Sequence, residues 1–154
     1  MVTPAVLKPG AAIPLPAESV LVLRGSISGT NEGDLLRLGV ETLDQLGLHQ
    51  VQVFEPWVKQ DVGFQGVWLA DLLDVAGAAG NARGIHVVAL DDYSVDLTIE
   101  QVDAGGILLA TRTAEGEPLS IEQGGPTRII FLDGVAAGVN TDLWIWSLKE
   151  ISVR

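Results

Sequence analysis

The apolar pattern of this chain predicts an α+β fold, with short strands in mixed sheets and a few short helices between them. Three observations carry that prediction. Short β-branched and apolar runs recur along the chain, as in Ser19 to Arg24, Ile85 to Leu90 and Ile107 to Thr113. Helical spacing appears only in brief stretches, around Val40 to Leu48 and Leu69 to Ala76. The helical stretches interleaved with these short strands are of single-turn scale, which argues against a doubly wound sheet.

The elements follow in order. Residues 1–18 form a Pro/Ala-rich arm, with Pro4, Pro9, Pro14 and Pro16 among Ala, Val and Leu. Proline at that density forbids a regular helix and favours an extended lead-in. The arm lacks the basic region and continuous apolar stretch of a signal peptide. It reads either as a spacer left after a cleaved signal or as an arm packed along its own domain or a partner. Ser19 to Arg24 is the first strand, Gly25 to Gly33 a loop, and Leu35 to Leu38 a second strand. Val40 to Leu48 reads as a short helix, with Leu43 and Leu46 on one face and Gly47 ending it. Val51 and Val53 share one face of a strand that Pro56 terminates.

Phe64 begins another strand, and Leu69, Leu72, Leu73 and Ala76 form the apolar face of a helix. Ile85 to Leu90 and Ser94 to Ile99 are strands joined at Asp91-Asp92, the second alternating Val95, Leu97 and Ile99 with Ser94, Asp96 and Thr98. Ile107 to Thr113 is almost continuously apolar, as a central strand should be. Arg128 to Leu132 and Leu143 to Val153 complete the set. No repeat and no further boundary appears, so residues 19–154 form a single domain.

Composition narrows the partners. A chain of 154 residues with 47% hydrophobic content can bury a substantial core. Mean hydropathy is +0.34, yet no apolar run approaches the roughly 18–20 residues that span a bilayer, so membrane insertion is not expected. Twenty acidic residues against nine Lys and Arg give a net charge of −11. The cations Arg24, Arg37, Lys59, Arg83, Arg112, Arg128 and Lys149 are scattered singly, whereas phosphate binding needs them clustered. Nucleic acid and anionic membrane surfaces are therefore poor partners. With no cysteine, the chain has no disulfide, no zinc–thiolate site and no thiol nucleophile.

Four segments in order carry a family resemblance. Phe64-Gln65-Gly66-Val67-Trp68-Leu69 followed by Asp71-Leu72-Leu73 reads as a strand turning on glycine into a helix. Val88-Ala89-Leu90-Asp91-Asp92-Tyr93-Ser94-Val95 reads as a hairpin. Leu109-Ala110-Thr111-Arg112, Gly116-Glu117-Pro118-Leu119 and Gly124-Gly125-Pro126-Thr127-Arg128 form the third group, and Trp146 to Ile151 the fourth. Together they resemble the sulfite-oxidase-type molybdopterin-binding domain. The Glu55-Pro56-Trp57 turn, the Asp92-Tyr93 pair and the short length resemble its small stand-alone bacterial members, which are often exported. The resemblance implies a sulfite-oxidase-like fold and a periplasmic or otherwise exported setting.

It also implies a cofactor that this chain is poorly equipped to hold. In the family a cysteine thiolate ligates molybdenum, in a segment corresponding roughly to Phe54 to Asp61; here that segment has no sulfur. The family grips an anionic phosphate ester with several cationic and imidazole groups, whereas this chain has only His49 and His86 and no basic cluster. The expectation is therefore no cofactor, no catalytic residue and no metal site, with molybdopterin as the alternative.

Candidate ligand-binding residues are Glu55, Trp57, Asp92, Tyr93 and Arg112. Trp57, on a loop in polar company, serves as a ligand platform or as a lid on the core. The Asp91-Asp92-Tyr93 turn presents carboxylates and a phenol, although a hairpin favours Asp for backbone reasons alone. Arg112 needs a partner if buried, from Glu115, Glu117 or a ligand carboxylate. Trp68, Trp144 and Trp146 lie within apolar periodicity and read as packing. Gly124-Gly125-Pro126 reads as a turn, not a phosphate cradle. HExxH, Walker A, GxSxG and calcium-loop patterns are missing, and nothing in the spacing suggests a Ser–His–Asp group.

Three functions remain: a non-catalytic module binding a small polar ligand or a partner protein, a molybdopterin oxidoreductase without a thiolate ligand, and a structural subunit of a larger complex.

Overall fold

The computed structural model describes residues 2–154; Met1, the first residue of the expected arm, lies outside the described residues. Two sheets share one contiguous core. The first has five strands in the order β2-β1-β9-β5-β6, built from β1 (Leu21–Gly25), β2 (Leu36–Leu38), β5 (Gly84–Ala89), β6 (Ser94–Thr98) and β9 (Leu148–Val153). Only β1 and β9 run parallel; the other pairs are antiparallel. The second sheet is antiparallel, in the order β3-β4-β7-β8, from β3 (His49–Glu55), β4 (Gln60–Trp68), β7 (Ile107–Thr113) and β8 (Arg128–Phe131). Three short helices, α1 (Val40–Asp44), α2 (Leu69–Ala76) and α3 (Ile99–Asp103), complete the α+β architecture. No helix among the described residues is long and apolar enough to cross a membrane.

Side-chain alternation explains the first sheet. In β5 and β6, Ile85, Val87, Val95 and Leu97 face the core, while His86 and Asp96 face outward. All four residues of β8 are buried, as are the first five of β7, which explains their lack of alternation. β8 lies at a sheet edge, but Ile145 accepts the Ile129 amide at 2.9 Å, so the segment before β9 covers that edge. Gly66 sits at a bulge where β4 crosses β7; an added Cβ would collide with the Leu109 carbonyl oxygen.

The expected helix over Val40 to Leu48 ends at Asp44. The arm takes over the backbone groups that a longer helix would use: Val6 and Leu7 donate to the Gln45 carbonyl, and Val2 and Thr3 to that of Leu48. Residues 2–7 thus lie along their own domain. The strand expected over Leu143 to Val153 begins only at Leu148; Thr141–Leu143 is a 3-10 turn and Trp144 to Ser147 a strap. Ile99 opens α3 instead of ending the preceding strand, and β4 starts at Gln60, four residues before the expected Phe64.

Candidate functional site

A cleft forms where the two sheets meet. The β3–β4 turn brings Trp57, the β5–β6 turn brings Asp91 and Tyr93, and the strap between β8 and β9 brings Asp142, Trp144 and Trp146. Its volume is about 330 Å³. Trp57 stands nearly edge-on to both strap indoles, with centroids 6.3 Å from Trp144 at 65° and 5.7 Å from Trp146 at 72°. Trp57 and Tyr93 are 49% and 46% exposed.

Backbone chemistry fixes these rings. Glu55 ends β3 with its carboxylate folded back over the turn. Oε1 accepts the Trp57 amide at 3.1 Å and Oε2 the Val58 amide at 2.9 Å, while the Glu55 carbonyl accepts Lys59 at 2.8 Å. In the opposite turn Asp91 Oδ1 accepts the Tyr93 amide at 3.1 Å, and Asp92 adopts a left-handed φ of 69°. The Tyr93 hydroxyl donates to the Asp142 carbonyl at 2.8 Å, tying that turn to the strap. Trp144 Nε1 donates to the Gly138 carbonyl at 2.8 Å.

Behind Trp146 lies a buried charge pair. Arg128 and Glu55 side chains are each only 3% exposed, with Arg128 Nη2 3.6 Å from Glu55 Oε1. That separation makes an ion pair but exceeds hydrogen-bond length. The guanidinium lies 4.2 Å from the Trp146 ring centroid and 5.1 Å from that of Phe64. Nη1 donates to the Gln123 carbonyl at 3.2 Å, whereas Nε, Nη2 and the Trp146 Nε1 have no acceptor among the described residues. Burial pushes the Arg128 pKa down to about 10, against the opposing pull of Glu55; it stays protonated at neutral pH. A smaller cavity of about 180 Å³ adjoins this pair.

The structure thus brings Trp57 and Tyr93 together and sets Glu55 beneath the turn carrying Trp57. Asp92 lies outside the cleft, bound to Lys149 at 2.6 Å, and its neighbour Asp91 takes the lining position. Arg112 is also elsewhere: Nη2 meets Asp44 Oδ2 at 2.7 Å, Nε meets Oδ1 at 3.1 Å, and Nη1 meets the Gly116 carbonyl. Its partner is therefore an α1 carboxylate, not Glu115 or Glu117, and this bidentate pairing raises its pKa. Sequence reasoning missed Arg128, Asp142 and the lining role of Trp144 and Trp146. The available signal was an arginine opening a wholly apolar strand, which demands a buried counter-charge.

One polar row crosses the outer face of the first sheet: Ser152, His86 and Asp96 stand side by side on β9, β5 and β6. His86 Nδ1 lies 2.8 Å from Asp96 Oδ1, but Ser152 makes no hydrogen bond to the imidazole among the described residues. No group of three or more His, Asp or Glu able to hold a metal occurs among the described residues.

Comparisons with known proteins agree with this architecture. The family model described as "Oxidoreductase molybdopterin binding domain" matches residues 41–152. Among solved structures, the sulfane dehydrogenase SoxCD from Paracoccus pantotrophus is similar, with a TM-score of 0.64 and 17% identity over 86% of this chain and 37% of that chain. At that identity the likeness shows the fold alone, and this chain spans little more than a third of the other. No curated protein matches the chain.

Proposed function

The chain belongs to the oxidoreductase molybdopterin binding domain family, and from that premise we propose that it is a cofactor-free, non-catalytic binding module. The observation carrying this reading is Glu55. The resemblance puts the metal-ligating thiolate between Phe54 and Asp61, and here that segment contributes a buried carboxylate committed to two amides and Arg128. A carboxylate already hydrogen-bonded and paired is a poor stand-in for a free, soft thiolate.

The charges point the same way. An anionic phosphate ester needs free cations, and four of the arginines and lysines pair with carboxylates elsewhere: Arg24 with Glu150, Arg37 with Glu32, Arg112 with Asp44 and Lys149 with Asp92. The cleft's own charged lining, Asp91 and Asp142, is acidic. These residues do not suit that group, and they support an aromatic ligand cleft centred on Trp57 and Tyr93. An exported setting belongs to the same reading and is checked by fractionating the native host.

A second reading has one observation in its favour. Among the described residues, Arg128 Nε and Nη2 are buried donors without acceptors, as an arginine left waiting for an anion would be. Molybdopterin bound without thiolate ligation would use them. Elemental analysis and pterin fluorescence of protein purified from its native host separate the two. Cofactor-free material should contain only trace molybdenum and no pterin; one of each per chain would establish the second reading instead.

A further inference from the structure

We propose that the cleft binds a small organic cation carrying a methylated ammonium group, an inference that rests on the binding-module reading and gives its ligand a chemical class. Four aromatic rings converge there without stacking on one another. Trp57 meets Trp144 and Trp146 edge-on, and Tyr93 closes the opposite side, held by its hydroxyl bond to the Asp142 carbonyl. Trp144 is buried and Arg128 lies over the Trp146 ring, so the half-exposed Trp57 and Tyr93 are the rings that offer faces to the cleft. Those faces carry the negative end of the ring quadrupole and attract a cation within about 6 Å of the centroid.

The rim supplies the matching charge. Asp142 uses only its backbone carbonyl and amide in hydrogen bonds, leaving its carboxylate without a partner among the described residues. Asp91 commits only Oδ1, to the Tyr93 amide. Among the described residues, no cationic side chain lines the cleft. Arg128 stacks against Trp146 from within, but its charge is opposed by Glu55, so the half-exposed Trp57 and Tyr93 carry the attraction.

The same features select among cations. A bare ammonium is strongly hydrated and loses that hydration against apolar walls. A methylated ammonium spreads its charge over apolar surface and suits a lining that is mostly ring carbon. The volume of about 330 Å³ sits at the small end of ligand pockets, in the range of a metabolite or a headgroup.

Isothermal calorimetry on the full chain tests this with choline and with its neutral carbon isostere, in which a tert-butyl group replaces the trimethylammonium. Saturable choline binding, with the isostere weaker by about fivefold or more, is the expected result. Equal binding of the two would mean apolar burial alone, and no choline binding would leave the cleft without this role; either overturns the proposal. Trp57→Ala should abolish choline binding while Trp57→Phe retains part of it, and Asp142→Asn should weaken it severalfold. Full choline affinity in Trp57→Ala would place the site elsewhere and also overturn it. Co-sedimentation with phosphatidylcholine vesicles then decides the source, since binding there as well as to free choline identifies a lipid headgroup. Molybdenum in native material would end the cofactor-free reading without altering this titration. A failed titration on molybdenum-free protein would end this inference alone.

Discussion

Glu55 joins two tasks in one side chain: it anchors the turn that presents Trp57 and balances the guanidinium behind Trp146. Removing one partner of a buried ion pair leaves an uncompensated charge, which costs about 3–5 kcal/mol. Glu55→Ala should therefore lower the urea unfolding free energy by that order. Glu55→Leu combined with Arg128→Met should recover most of the loss, because both charges then leave the core together. If the single and double variants unfold alike, the pair does not carry the stability assigned to it. The sequence shows that Arg128 needs a counter-charge but not that Glu55 supplies it, since the two stand 73 positions apart on strands that meet only through the fold. Trp57 and Tyr93 were legible because each lies on a turn with polar neighbours. Trp144 and Trp146 were not, since a strap that both packs and lines a cleft has the same apolar spacing as a strand.

At the scale of elements, helix ends and glycine positions set the frame. α3 begins with a capping box: Thr98 Oγ1 accepts the Gln101 amide at 3.0 Å, and Gln101 Oε1 accepts the Thr98 amide at 2.8 Å. Thr98→Ala should cost about 0.5–2 kcal/mol and speed amide exchange across Ile99–Asp103 ahead of the sheet. Unchanged exchange there would show that α3 is held by its packing alone. The Thr-x-x-Gln signature was present in the chain, but the preceding alternation drew the strand through Ile99 and hid it. β5, β6 and α2 were readable because their apolar period repeats; α1 was overdrawn because the arm replaces its last turn. Gly66→Ala should separate β4 from β7, since the added carbon meets the Leu109 backbone and cannot be relieved by a rotamer change. Loss of exchange protection at Gly66 to Trp68 and Leu108 to Ala110, exceeding that elsewhere, is the expected signature.

Over the whole molecule, charge and fold pull toward different functions. The chain belongs to a family described as molybdopterin-binding, while the net charge is −11 and the cleft's charged lining is acidic. A field of that sign draws in cations and repels anions, and salt screens it over a Debye length of about 10 Å at 0.1 M. Choline affinity should accordingly fall by about twofold or more between low and physiological ionic strength, while any affinity for the neutral isostere stays constant. A salt-independent choline affinity would remove the electrostatic part of the account. The fold class was readable from the apolar runs and the resemblance. The acidic sign of the cleft's lining needed three-dimensional contacts, because net charge alone does not reveal which cations are already paired.

The most direct measurement is anomalous diffraction at the molybdenum edge from crystals of protein purified from its native host. The account predicts no molybdenum peak, with Glu55 resting against Arg128 and the amides of Trp57 and Val58. A strong peak near the β3–β4 turn, with Glu55 displaced from those partners, would contradict it.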